Sequence, residues 1–202
     1  MTQRSEYEKA TDIFMKHGGI LRTSQALREG IHRRTLYNMR DSGLINQVSR
    51  GVYRLATSPP LGNPDLVTIA IRIPEGVICL ISALAFHELT TQIPHSVHVA
   101  LQQGAEEPRL DQPPIKTYRF TGKAFSEGIE IHVLDGVSVR IYSPEKTIAD
   151  CFKFRNKIGL DTVMEAVRFY RERKPVKVDE LMYFADICRV KKVMQPYLEA
   201  IL

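Results

Sequence analysis

Arg34 and Asn38 carry forked, planar hydrogen-bonding groups four residues apart, inside the run Arg33-Arg34-Thr35-Leu36-Tyr37-Asn38-Met39. At about 100 degrees per residue, a helix through this run turns both onto one side, near 160 and 200 degrees from Leu36, while Met39 falls near 300 degrees beside Leu36. One face is apolar and the opposite face carries the fork-bearing pair. Arginine and asparagine are among the few side chains that make bidentate contacts to base edges, to guanine and adenine respectively, each worth about 1 to 3 kcal/mol of discrimination. Arg33, Thr35 and Tyr37 flank the pair at positions suited to phosphates. Arg50, at the tip of an expected hairpin, is placed for a minor groove or an adjacent phosphate. Thr23 and Ser24 open a short helix and offer its N-terminus and their hydroxyls to a phosphate. The plain alternative is that all these side chains form a solvated charged face.

Whether the face is meaningful depends on the elements that hold it. Residues 5–17 repeat apolar positions at three and four (Tyr7, Ala10, Ile13, Phe14) and stop at Gly18-Gly19, the pattern of an amphipathic helix. A short extended piece, Ile20-Leu21-Arg22, follows. Thr23 stands where an N-cap belongs for a two-turn helix that Gly30 closes, and His32 where one belongs for the helix from Arg33 to Ser42, closed by Gly43. Leu44, Val48, Val52 and Leu55 then alternate around Ser49-Arg50-Gly51, as two short strands and a glycine turn would. Helix, short helix, glycine turn, helix and hairpin is the order of a winged helix-turn-helix, whose second helix of the pair enters the major groove. Glu6, Glu8 and Asp12 on the first helix must then face away from DNA.

Charge is distributed accordingly. The 202-residue chain is 44% hydrophobic and 25% charged, with a formal net charge of +5. Residues 1–57 hold ten Lys/Arg against five Asp/Glu, which leaves eighteen against eighteen for the remainder. All of the basic surplus therefore lies in the first quarter, as expected of a basic module for a polyanion joined to a neutral body. Residues 57–64 contain three prolines and a glycine, through which neither a helix nor a central strand can run. We therefore expect a DNA-binding domain at 1–57 and a second domain at 58–202. The composition excludes fibrous and disordered classes. The longest apolar stretch, ten residues from Val77 to Phe86, is about half of a membrane span. Charges occupy the N-terminus where a signal peptide needs an apolar centre, so a cytoplasmic location is expected. Cys79, Cys151 and Cys188 lack metal-knuckle spacing and read as reduced, buried thiols.

The second region alternates helix and strand signals. Helices are expected at 65–73, 81–89, 144–156, 159–173, 179–189 and 193–201, and strands at 96–101 and 114–120, with a hairpin of 129–134 and 137–142 joined by Asp135-Gly136. The fold class is α+β: a winged helix-turn-helix followed by a mixed α/β domain with a helical C-terminal end. Constellations for catalysis are sparse. His95 and His98 are three apart on strand-like sequence and point to opposite faces, against joint metal ligation. His87-Glu88 reads as a surface pair on a helix. There is no phosphate-binding loop, dinucleotide fingerprint, zincin motif or nucleophile elbow, so no enzyme, metal or cofactor is expected. Ser143-Pro144-Glu145 opens a well-capped helix in which Lys146 and Asp150 sit at i and i+4, an intrahelical ion pair.

These residues together resemble the AbiEi-type antitoxins of bacterial type IV toxin-antitoxin and abortive-infection systems. The resemblance runs through Leu27, Gly30-Ile31, Leu36, Met39, Gly43, Ile45 and the more specific Arg50-Gly51-Val52-Tyr53-Arg54-Leu55, then through residues 80–101 and 143–161. It implies a winged-helix domain that binds inverted repeats of double-stranded DNA in its own promoter and represses the operon, in the service of phage defence. It implies a C-terminal domain that neutralises a nucleotidyltransferase-like toxin without a stable complex, and no enzymatic activity. The DNA-binding role carries to Arg33, Arg34, Thr35, Tyr37, Asn38 and Arg50. For the antitoxin role the resemblance assigns no residue, and Lys146, Asp150, Lys153, Arg155, Arg168 and Arg171 are candidates because the basic run from Lys153 to Lys177 could contend for an anion. Two competing readings stay open: a winged-helix regulator whose second domain binds a small-molecule effector, and an enzyme tethered to DNA.

Overall fold

The computed structural model describes residues 3–173 and 175–201, which form two compact units. The first contains residues 1–74 and 133–138, the second residues 75–132 and 139–202.

In the first unit the order is α1 (Gln3–Lys16), β1 (Ile20–Arg22), α2 (Thr23–Arg28), α3 (Arg33–Asp41), β2 (Ile45–Ser49), β3 (Val52–Leu55) and α4 (Pro64–Arg72). The three strands form an antiparallel sheet in the order β1-β3-β2, the element order expected of a winged helix-turn-helix. α1 buries Ala10 and Phe14 against Leu36 and Met39 of α3, Ala26 of α2 and Leu21, Ile45, Tyr53 and Leu55 of the sheet. Glycines end the helices because the chain must enter positive φ there: Gly18, Gly30 and Gly43 lie at +69°, +90° and +73°. Neither Arg22, the N-cap residue of α2, nor His32, that of α3, makes a side-chain cap bond. The expected Thr23 cap is thus displaced by one residue, and the Thr23 hydroxyl instead donates to the Gly51 carbonyl of the hairpin turn at 3.3 Å.

A second apolar cluster joins Ile20, Val52 and Val67, with Leu61, Ile71, Leu134 and Val137 packed on it. The sequence places the boundary at residue 57. By contacts, α4 and the 133–138 hairpin tip belong with the basic module, since they cover the outer face of its sheet.

The second unit holds a five-stranded mixed sheet in the order β6-β5-β4-β8-β7: β4 (Val77–Ile78), β5 (Val97–Gln102), β6 (Ile115–Phe120), β7 (Ile129–Leu134) and β8 (Val137–Tyr142). β4 pairs antiparallel with β5 and parallel with β8, and β5 pairs parallel with β6. Asp135 and Gly136 join β7 to β8 with φ of +50° and +79°, the positive pair that a type I′ turn requires. Around the sheet lie α5 (Leu80–Phe86), α6 (Lys123–Ser126), α7 (Pro144–Lys153), α8 (Arg155–Ile158), α9 (Leu160–Glu172), α10 (Val178–Ile187) and α11 (Lys191–Ile201). α7 is central: every residue from Glu145 to Phe152 is buried. The three cysteines are free and buried, as read from the sequence.

Candidate nucleic-acid interface

α3 presents the expected two-sided pattern. Leu36 and Met39 have no exposure, while Arg33, Arg34 and Tyr37 are exposed and Asn38 is half-buried. Helical periodicity sets the two arcs, and α1 and the sheet cover the apolar one. Thr35 is more enclosed than its neighbours: at 7% exposure its side chain lies along the edge of the buried arc, one position before Leu36. Arg40 is spent locally, paired with Asp41 at 2.7 Å and lying over the Tyr37 ring at 5.2 Å. The Asp41 carboxylate raises the Arg40 pKa further.

Arg34, Asn38, His32 and Thr35 line a shallow groove of about 350 Å³, and Glu6 of α1 lines it as well. Glu6, one of the α1 acids expected to face away from DNA, thus stands beside Arg34 and Asn38, because the first turn of α1 passes beside the N-terminal half of α3. Arg50 is exposed at the β2–β3 turn, where its carbonyl accepts from the Arg72 guanidinium. Ser24 is exposed and Thr23 half-buried at the start of α2.

Two arginines that sequence reasoning missed join this surface. Arg22 is half-buried, and its terminal NH2 has no hydrogen-bond partner among the described residues. Burial and the neighbouring positive charge of Arg72 both lower its pKa. An anion at this spot would satisfy the stranded donor and relieve the repulsion. The only sequence signal was an arginine at each end of apolar runs, and Arg72 lay beyond the expected boundary.

The candidate antitoxin residues do not assemble into one site. Lys146 and Asp150 have no exposure and pair at 2.5 Å, with the ammonium 4.1 Å from the Tyr142 ring centroid and 4.9 Å from that of Phe120. Cys188 donates to the other Asp150 oxygen at 3.1 Å. Burial pushes the Asp150 carboxyl up against the pull of Lys146. This pair is structural and cannot touch a partner. Of the others, Arg155 donates to the Phe152 carbonyl and Arg171 to that of Ile201, while Lys153 lies exposed near the Phe120 ring and Arg168 is exposed. Lys174, within the same basic run, lies outside the described residues. His95 is exposed and His98 buried, and among the described residues no cluster of ligating side chains could hold a metal. His87 is also buried, correcting its reading as half of a surface pair: α5 ends at Phe86, and the ring nitrogen Nε2 donates to the Tyr142 carbonyl at 2.8 Å. Among the described residues, no helix is long and apolar enough to cross a membrane.

The solved crystal structure of the RV2827C protein from Mycobacterium tuberculosis matches with a TM-score of 0.57 at 11% identity, covering 96% of this chain and 81% of that one. At this identity the likeness concerns the fold, an α+β architecture spanning both units. Residues 8–56, which contain α2, α3 and the hairpin, match the family described as transcriptional regulator, AbiEi antitoxin. Over that segment the chain is similar to the AbiEi-type antitoxin transcriptional regulators. No curated protein matches.

Proposed function

We propose that this protein is a DNA-binding autorepressor and antitoxin of a type IV toxin-antitoxin system, whose first unit is a winged helix-turn-helix. The observation that carries the reading is the α3 face: Arg33, Arg34, Tyr37 and Asn38 stand opposite a fully buried Leu36 and Met39 inside the segment that matches a regulator family. In this reading Arg34 and Asn38 read base edges in the major groove, Arg33 and Tyr37 hold phosphates, and Arg50 reaches the backbone from the wing. Ser24, Arg22 and Arg72 add phosphate contacts. The second unit supplies neutralisation of a nucleotidyltransferase-like toxin without a lasting complex, and its active surface excludes Lys146 and Asp150 because they are buried.

Arg34→Ala and Asn38→Ala test the assignment, since both side chains point away from the core. Each is expected to weaken binding to the protein's own upstream DNA by about 1 to 3 kcal/mol and to flatten sequence preference, with unchanged thermal unfolding. Cells expressing the toxin should still be rescued. Unchanged affinity and footprint in both variants would overturn the assignment of α3.

A further inference from the structure

The two edges of the five-stranded sheet are built differently. At one edge, β6 carries Lys116 and Arg119, and the preceding loop is tied down across it by Glu107, which accepts from Thr117 and Arg119 at 2.6 Å each. Charge and a covering loop are the usual devices that keep an edge from pairing with another chain. At the other edge, β7 has the sequence Ile-Glu-Ile-His-Val-Leu, without proline, lysine or arginine. Its Ile131 is 60% exposed, and Val133, next but one along the same face, is 70% exposed.

The turn geometry says which backbone groups of β7 are unused. A two-residue type I′ loop at Asp135-Gly136 makes Leu134 and Val137 the closing hydrogen-bonded pair, so Leu134, His132 and Glu130 direct their N–H and C=O groups toward β8. Ile129, Ile131 and Val133 consequently direct theirs outward, where the sheet order among the described residues places no further strand.

We propose that β7 is a self-association edge that pairs antiparallel with β7 of a second copy of this chain, about a two-fold axis at Ile131. The register is self-complementary. Ile131 faces its own counterpart and Ile129 faces Val133, and these three positions are the ones with outward backbone groups, so the hydrogen-bonding parity is satisfied at every step. The remaining opposed pair is Glu130 with His132, acid against base in both directions. Within one chain these two already sit on the same face at 3.0 Å, with His132 edge-on to Phe86. Pairing would therefore alternate two carboxylates with two imidazoles along one face of a continuous ten-stranded sheet, and cover Ile131 on the other. A register displaced by one residue would set inward-directed groups against outward ones, and a displacement by two would lose the acid–base opposition. An edge of six residues buries less than the roughly 1,000 Å² of a stable interface, so association is weak and concentration-dependent.

Sedimentation velocity on the full chain without DNA, over a series from micromolar to millimolar, tests this. The unmodified protein is expected to shift from monomer to dimer across the series. Ile131→Lys, at an exposed position that leaves the core untouched, is expected to raise the dissociation constant at least tenfold. Glu130→Lys sets like charges across the pair and should weaken association, while Glu130→Lys with His132→Glu restores opposition and should recover it, with thermal unfolding as the check that each variant is folded. A protein that stays monomeric throughout, or a dimer indifferent to Ile131→Lys and to the charge exchange, would overturn the proposal.

Discussion

Two single residues illustrate how position outweighs type. Glu6 is an ordinary exposed acid by sequence, yet it lines the groove shared by Arg34 and Asn38, where a phosphate backbone would meet it. Glu6→Gln should therefore tighten DNA binding by about 0.5 to 1 kcal/mol, more at low ionic strength, as read by fluorescence titration at two salt concentrations. Equal affinities at both would show that Glu6 stays clear of DNA. His98 is the second case. Burial, helped by the charge of Lys116, lowers its pKa from 6.5 to about 4. Because the folded value lies below the unfolded one, the stability gained from keeping the ring neutral is complete above about pH 6.5 and is lost as pH falls from there to about 4, a difference of about 3 kcal/mol. His98→Leu should show a shallower loss of stability than the parent between pH 7 and pH 4, measured by urea unfolding. Parallel curves would contradict this.

At the scale of elements, α7 carries the most information. Its start is readable from sequence: Pro144 at the first position, and Ser143 Oγ accepting from the Lys146 N–H at 3.2 Å. Its surroundings are not, because an apolar stripe with one polar side predicts a surface helix, whereas this helix is enclosed by α5, α9, α10 and α11. Enclosure turns an intrahelical pair of modest worth into a buried one. Gly128 packs against the Lys146 stem so closely that an added Cβ would lie 2.7 Å from the lysine Cβ, which leaves no room for the pair to move. Removing one partner strands a charge, so Lys146→Met should cost about 3 to 5 kcal/mol. Lys146→Met with Asp150→Leu should recover most of that loss in denaturant unfolding. A double variant as unstable as the single one would indicate that the pair stabilises the fold beyond neutralising itself.

For the molecule as a whole, the question is where the basic module ends. Val67 has no exposure and packs on Ile20 and Val52, which the 1–57 segment alone would leave uncovered. A fragment of residues 1–74 should therefore be more stable than one of residues 1–57 by about 2 kcal/mol, the worth of one buried valine, when both are unfolded in urea. Equal stability would place the boundary at the proline-rich segment after all. If the module neutralises about four phosphates, its binding constant should fall with salt at a logarithmic slope near −3.6.

The local features were legible in the sequence because they depend on neighbours along the chain. Helical periodicity separated Leu36 and Met39 from Arg34 and Asn38, glycines marked the ends of α1, α2 and α3, and Asp135-Gly136 marked the β7–β8 turn. Thr35 sat at the edge of the apolar arc, and only the packed structure decided that it was buried. The tertiary structure alone decided what distant segments do to one another. It brought Arg72 to the wing beside Arg22, put Val67 and the 133–138 tip on the sheet of the first unit, and enclosed Lys146 and Asp150. It also inserted β4, two residues within an apolar run, as the central strand. Burial is a property of the whole packing, and a pattern of types along one chain specifies which face is apolar without specifying how many neighbours will close over it.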